Sequence, residues 1–278
     1  MENIMLKKTA AAFALMGLVN FSAFADNQHT ISISGSTSVS RVMDVLAETY
    51  NQKHENIFVA VHGTGSSAGI AAVKSGATEL GMSSRFLKEE EASPNLKLVQ
   101  IAHDAITMVV HPSNTIENLT SAQIKDIYQE KITNWSQVGG DDSLMAVVSR
   151  ENASGTRFSF ESNVDLLQTL NGETVSDISR QILIANTNSM VKTLVNHNSH
   201  AIGYASLGSV DESIKAVDFN GIDPSVQNVR KGDYTLSRPF LIMHKDGEIS
   251  KEAQDFIHFL LSDEGQTIIE ELGYISIH

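Results

Sequence analysis

Three times along this chain a short strand-forming run gives way to a cluster of glycine and small hydroxyl residues, and residues at helical spacing follow at once. The clusters are Gly35-Ser36-Thr37-Ser38, Gly65-Ser66-Ser67 and Ser154-Gly155-Thr156. This order confines the chain to folds whose helices begin where strands end, the α/β class with mostly parallel sheets. The rest of the pattern agrees. Ile31 and Ile33 alternate with polar residues as in a strand, and Val39, Val42, Met43, Leu46 and Tyr50 then mark one face of a helix. Ile57–Val61 is a buried strand and Ser66–Ser75 a short helix. Glu79–Ser83, Lys97–Ile101, Ala105–His111, Ala146–Val148, Ile202–Ala205 and Phe240–His244 read as further strands. Thr120 with Gln123, then Thr187 and Ser250, mark helix starts, and a last helix is predicted from Asp263 to Leu272.

The placement of the hydroxyl clusters carries chemistry. A helix start presents unpaired N–H groups and a partial positive charge, and nearby Ser and Thr add donors. One such start is a generic anion site, whereas three aimed at one cleft would form a nest for a tetrahedral oxyanion. Each cluster taken alone is also an ordinary helix cap. Arg150 ends a predicted strand four residues before Ser154. It offers a two-pronged donor suited to phosphate, or a surface ion pair with Glu151.

A different chemistry is also written here. Gly65-Ser66-Ser67-Ala68-Gly69 matches the Gly-x-Ser-x-Gly elbow of serine hydrolases, with Ser67 as nucleophile and Asp218 and His244 as candidate partners. The ten histidines show no metal-ligand spacing; His197 and His200 read as solvated and Trp135 as a packing residue. No dinucleotide or Walker loop occurs, so neither cofactor nor metal is expected.

The 278 residues suffice for one large or two medium domains. The N-terminus reads as a secretory signal: Lys7 and Lys8, an apolar run from Ala10 to Val19, and Ala23-Phe24-Ala25 before a cleavage ahead of Asp26. That run is too short to span a bilayer, and Met5 is an alternative start. The absence of cysteine leaves no residue for a disulfide or an N-terminal lipid anchor, which fits a free periplasmic protein; a monomer is expected. A net charge of −13 argues against nucleic acid or an anionic membrane as partner.

With these clusters the chain resembles the substrate-binding component of phosphate-specific ABC transporters, over essentially the whole mature sequence. The most specific stretch is LTSAQIKDIYQEKITNWSQVGG at Leu119–Gly140. AIGYASLG at Ala201–Gly208, YTLSRPF at Tyr234–Phe240 and RENASGTR at Arg150–Arg157 add to it. The resemblance implies a two-lobe, hinged binding-protein fold closing around inorganic phosphate and serving membrane permease subunits. It places lobe 1 at residues 26–109 plus 240–278 and lobe 2 at 110–239, with residues 1–25 removed as signal. Crossings are expected at Thr107–Val110 and Pro239–Met243. It assigns phosphate binding to Thr37, Ser38, Ser66, Ser84, Arg150, Ser154, Gly155 and Thr156, with Ser36, Ser67, Arg85 and Arg157 as further candidates. Some family members carry an aspartate where this chain has Ser84, a carboxylate that accepts the proton of phosphate and repels sulfate. Arg85 beside it either reaches the cleft or faces outward. A phosphate sensor or adhesin is the remaining alternative to transport.

Overall fold

A computed structural model describes residues 28–278, so the signal segment lies outside the described residues. The elements run β1 (His29–Gly35), α1 (Thr37–Lys53), β2 (Ile57–Gly63), α2 (Ser66–Ser75), β3 (Leu80–Ser83) and β4 (Leu96–Val110). Then come β5 (Asn118–Leu119), α3 (Ser121–Tyr128), β6 (Ala146–Arg150), α4 (Gly155–Asn163), β7 (Leu167–Leu170), β8 (Glu173–Ser176) and β9 (Leu183–Ala185). The chain ends with α5 (Asn188–Asn196), β10 (Ala201–Ser206), β11 (Lys215–Phe219), α6 (Val226–Lys231), β12 (Ser237–Lys245), α7 (Lys251–Leu261) and α8 (Asp263–Glu271).

One ten-stranded sheet passes through two lobes in the order β2-β1-β3-β12-β4-β10-β6-β9, with β11 also on β4 and β5 on β11. Within the lobes β1 pairs β2 and β3 in parallel, and β6 pairs β10 and β9 in parallel. The antiparallel pairings cluster on β4 and β12.

Two large hydrophobic cores flank this middle, and a smaller cluster gathers Val109, Val148, Val191, Val195 and Ile214. The first gathers Ile31, Ile33, Val39, Val42, Met43, Leu46 and Tyr50 with Ile101, Ala102, Phe240 and Ile242. The helical stripe of α1 seen in the sequence is thus its buried face. The second gathers Ala105, Ile106, Met108, Ile124, Ile127, Trp135, Phe160 and Tyr204. Trp135 is buried in it and donates its indole N–H to His200 O at 3.0 Å.

The strands expected at Lys97–Ile101 and Ala105–His111 are a single fifteen-residue strand, β4. The polar pair His103-Asp104 looks like a turn but continues the strand: Asp104 lies opposite Arg238 in register, and His103 bridges to Ile275. At roughly 3.3 Å per residue β4 is about 50 Å long, enough to run through both lobes. It pairs with β12 as far as Ala105 and with β10 from Ile106 onward.

Candidate functional site

The hydroxyl clusters sit where strands end between the lobes. Ser36 caps α1, its Oγ accepting from the N–H groups of Ser38 and Val39. Gly65 precedes α2 with φ of 95°, a conformation that favours glycine, and a Cβ there would lie 2.9 Å from Ala153 O in the other lobe. Ser154 caps α4, accepting from Arg157 N, and its own N–H is given to Glu151 O at 3.1 Å.

These starts meet. Ser38 Oγ lies 3.0 Å from Thr156 Oγ1 across the lobes. Ser36 Oγ donates to Ser84 Oγ at 2.9 Å, and Ser84 N donates to Ser66 Oγ at 3.1 Å. Gly155 packs so closely on Ser66 and Ser84 that a Cβ would stand 2.7 Å from Ser84 Oγ. Ser36, Ser38, Ser66, Ser84, Ser154 and Thr156 are all buried. A fourth helix start joins them: Asn188, first residue of α5, donates Nδ2 to Ser38 Oγ at 3.0 Å.

Arg150 is fully buried at the end of β6. Its guanidinium donates to Thr37 Oγ1 at 3.1 Å, Asn188 Oδ1 at 3.0 Å and Asn186 O at 2.9 Å. It also donates to both oxygens of Glu151, so the neighbouring acid balances a charge aimed into the cleft rather than drawing it to the surface. Tyr204 fixes the strand end, its Oη bonding Ser149 Oγ at 2.8 Å and accepting from Arg150 N. Burial raises the Tyr204 phenol far above its ordinary range, so it stays protonated.

A second buried arginine belongs to the cluster and was missed by sequence reasoning. Arg238, on β12, donates Nε and Nη2 to Asp104 Oδ2 at 3.1 and 2.8 Å. Its Nη2 also reaches Ser38 Oγ at 3.2 Å. Asp104 Oδ1 accepts from Ser206 Oγ at 2.9 Å. Burial pushes the Asp104 carboxyl up and the Arg238 guanidinium down, against their mutual attraction. An arginine in a protein stays charged, so the pair remains ionic. The RPF of YTLSRPF was the available signal, but a strand arginine opposite a strand aspartate reads from sequence as two unrelated charges.

The remaining candidates turn elsewhere. Arg85 is buried, but it forks onto Glu91 with both contacts at 2.6 Å and donates to Ser67 Oγ at 3.0 Å. Burial raises the Glu91 carboxyl, and the Arg85 hydrogen bonds, the Lys88 N–H and the two cations outweigh it, so Glu91 lies below the usual carboxylate range. Arg157 donates to Glu161, Arg150 O and Ser176. The hydrolase arrangement is not assembled. Ser67 Oγ accepts from Arg85, His244 Nδ1 faces Lys245 O on a strand opposite Lys97, and Asp218 sits beside Asn118. Among the described residues no cluster of His, Asp or Glu is arranged to hold a metal, and no helix is long and apolar enough to cross a membrane.

Two lobes on a shared sheet, with helix starts, hydroxyls and two buried arginines gathered between them, define a binding protein of the two-lobed α/β type. The chain belongs to the PBP superfamily, whose domain model matches residues 22–264. It is 30% identical over 258 residues to the phosphate-binding protein PstS of Borreliella burgdorferi, covering 91% of each chain. Among solved structures it is similar to a Clostridium perfringens phosphate ABC transporter substrate-binding protein with bound phosphate. The identity there is 40%, the TM-score 0.85, and the match covers 90% of this chain and 100% of that one. It is also similar to an ABC-type phosphate transport receptor of Vibrio cholerae, at 49% identity and TM-score 0.75, over 88% and 99% of the two chains.

Proposed function

We propose that this chain captures inorganic phosphate between its lobes and delivers it to the membrane permease subunits of an ABC transporter. The observation that carries the reading is the meeting of four helix starts with Arg150 at one buried point. Relatives and structural neighbours along nearly the whole chain are phosphate-binding proteins or phosphate transport receptors, which supports the same ligand. The donor set suits a tetrahedral oxyanion, since N–H groups, hydroxyls and guanidinium all donate to oxygen and close from opposite lobes.

In this reading Thr37, Ser38, Ser66, Ser84, Arg150, Gly155 and Thr156 bind the anion, and Asn188 orients Arg150. Ser154 caps the helix that presents the Gly155 and Thr156 N–H groups. The lobes divide at Asp104 on β4 and Arg238 on β12. The change of strand partner after Ala105 supports a first crossing slightly before Val109. The protein works without catalysis, exported by the N-terminal signal, cleaved after Ala25 and free in the periplasm.

Isothermal calorimetry tests this. One phosphate should bind per chain without metal, at micromolar affinity or better, about −8 kcal/mol. Absence of both heat and a thermal shift with phosphate refutes the assignment.

A further inference from the structure

Arg238 and Asp104 are buried, lie on the two strands that pass between the lobes, and face each other in register. A simple strut would spend its donors on its partner. Here the guanidinium uses Nε and one Nη2 hydrogen on Asp104 Oδ2, and the rest of the fork points at the site hydroxyls. Nη1 has Ser84 Oγ at 3.4 Å as its only protein acceptor among the described residues. That distance lies beyond the usual range for an N–H donor, and buried guanidinium donors are normally satisfied. The under-satisfied edge of Arg238 therefore faces the point where Ser38 and Ser84 meet the helix starts.

The acids around this point are all engaged. Asp104 gives Oδ2 to Arg238 and Oδ1 to Ser206. Glu151 holds Arg150, Glu161 holds Arg157 and Ser176, and Glu91 holds Arg85. The groups left to meet an anion oxygen are hydroxyls and N–H donors. A hydroxyl facing the proton of hydrogen phosphate accepts it, and the same hydroxyl can rotate to donate to a bare oxygen.

We infer that Arg238, held in place by Asp104, is a second charged ligand of the bound anion, and that the site selects tetrahedral dianions by charge and shape, sulfate included. This deepens the phosphate reading and rests on it. A carboxylate in the site would repel sulfate outright. Serine at position 84 and a guanidinium fixed to the shared strands leave both anions the same set of donors. Because Arg238 rides on the strands common to both lobes, its contact is in place before the lobes close.

The test is calorimetry of the full mature chain with phosphate, and with sulfate competing against it, at neutral pH. Arg238→Gln alone strands a buried carboxylate, so the informative variant is the double Asp104→Asn/Arg238→Gln, with Arg238→Lys as a second that keeps the charge but loses the fork. Each variant should lose tenfold or more in phosphate affinity, and sulfate should bind wild type within about a hundredfold of phosphate, the scale of one hydrogen bond to a charged group. A folded variant that stays within tenfold of wild type makes Arg238 a strut and overturns the inference. So does sulfate that fails to displace phosphate at a thousandfold excess, a result that needs no variant. Both results leave phosphate binding intact, whereas a wild-type chain that binds neither anion removes the phosphate reading itself.

Discussion

Gly155→Ala separates closure from folding more cleanly than any change to a donor. Gly155 is the first residue of α4 and has helical backbone, so alanine suits the helix at least as well as glycine. Its added methyl would nevertheless stand 2.7 Å from Ser84 Oγ and 2.9 Å from Ser66 Cβ, in the opposite lobe. Ser66 Oγ, closer still, can rotate away, but its Cβ is fixed by the backbone of α2. Relief of that contact to an ordinary 3.4 Å requires the lobes to part by about half an ångström. Overpacking of this kind costs about 1–3 kcal/mol. The cost falls only on the form in which the lobes meet, so it enters the affinity as about a 5- to 150-fold loss. Calorimetry should show that loss, small-angle scattering a less compact phosphate-saturated protein, and thermal melts without phosphate a midpoint near that of wild type. Wild-type affinity and compactness would show that Gly155 does not set the approach of the lobes. An equal fall in the melting point without phosphate would show that the methyl disturbs lobe 2 itself.

The other predictions are shorter. Arg150→Gln should weaken phosphate binding far more than Arg230→Ala, because Arg150 is buried among Thr37, Asn186 and Asn188 while Arg230 is half exposed beside Glu270; equal losses in calorimetry would place the charge elsewhere. Ser67→Ala should keep phosphate affinity within a few-fold and change no ester hydrolysis, since Ser67 Oγ is held by Arg85; loss of a measurable esterase rate would revive the hydrolase. Glu91→Gln should destabilise the protein at neutral pH and flatten its acid limb. The depressed Glu91 carboxyl contributes stability above its unfolded value near 4.3 and loses it as pH falls through the lower folded value. Melts of wild type and variant that stay parallel from pH 7 to pH 3 would remove that contribution.

The parts of the fold written in local periodicity were legible. The stripe on α1, the caps at Thr120, Thr187 and Ser250, the last helix from Asp263 and the helix starts at Thr37, Ser66 and Gly155 are signals within a few residues of one another, and each is where the sequence puts it. The hairpin of β7 and β8 was missed although Asn171-Gly172, both at positive φ, is a strong turn signal; its strands are largely exposed and lack the apolar alternation that draws attention to a strand. The site divides the same way. Hydroxyls at helix starts announce themselves because the chemistry and the secondary structure coincide. Arg238, Asp104 and Asn188 do not, because their meaning is created by contacts separated by 134, 150 and 200 positions in the chain. Arg150 had two readings in sequence, cleft or surface, and burial of the β6 end decides between them.

The contacts between the lobes fall into two kinds with different consequences for binding. Ser67 N–H to Ala153 O at 3.2 Å, Ser159 Oγ to Ser84 O at 3.3 Å, and the Phe158 ring beside Arg85 and Lys88 hold the lobes together without involving the anion donors. They favour closure by the same amount whatever occupies the site. The contacts of Ser38 with Thr156 and Asn188 are of the second kind, for each is a neutral hydrogen bond whose donor can be redirected to an anion oxygen. A neutral hydrogen bond contributes about 0.5–1.5 kcal/mol net and one to a charged group about 1.5–3 kcal/mol. Phosphate affinity is therefore a sum of differences of roughly 1 kcal/mol per redirected donor, plus the arginine terms, rather than a sum of whole bonds. The same accounting makes release possible. A transporter that weakens the first kind of contact lowers the cost of opening, and the lobes then part once the donors of one lobe let go of the anion.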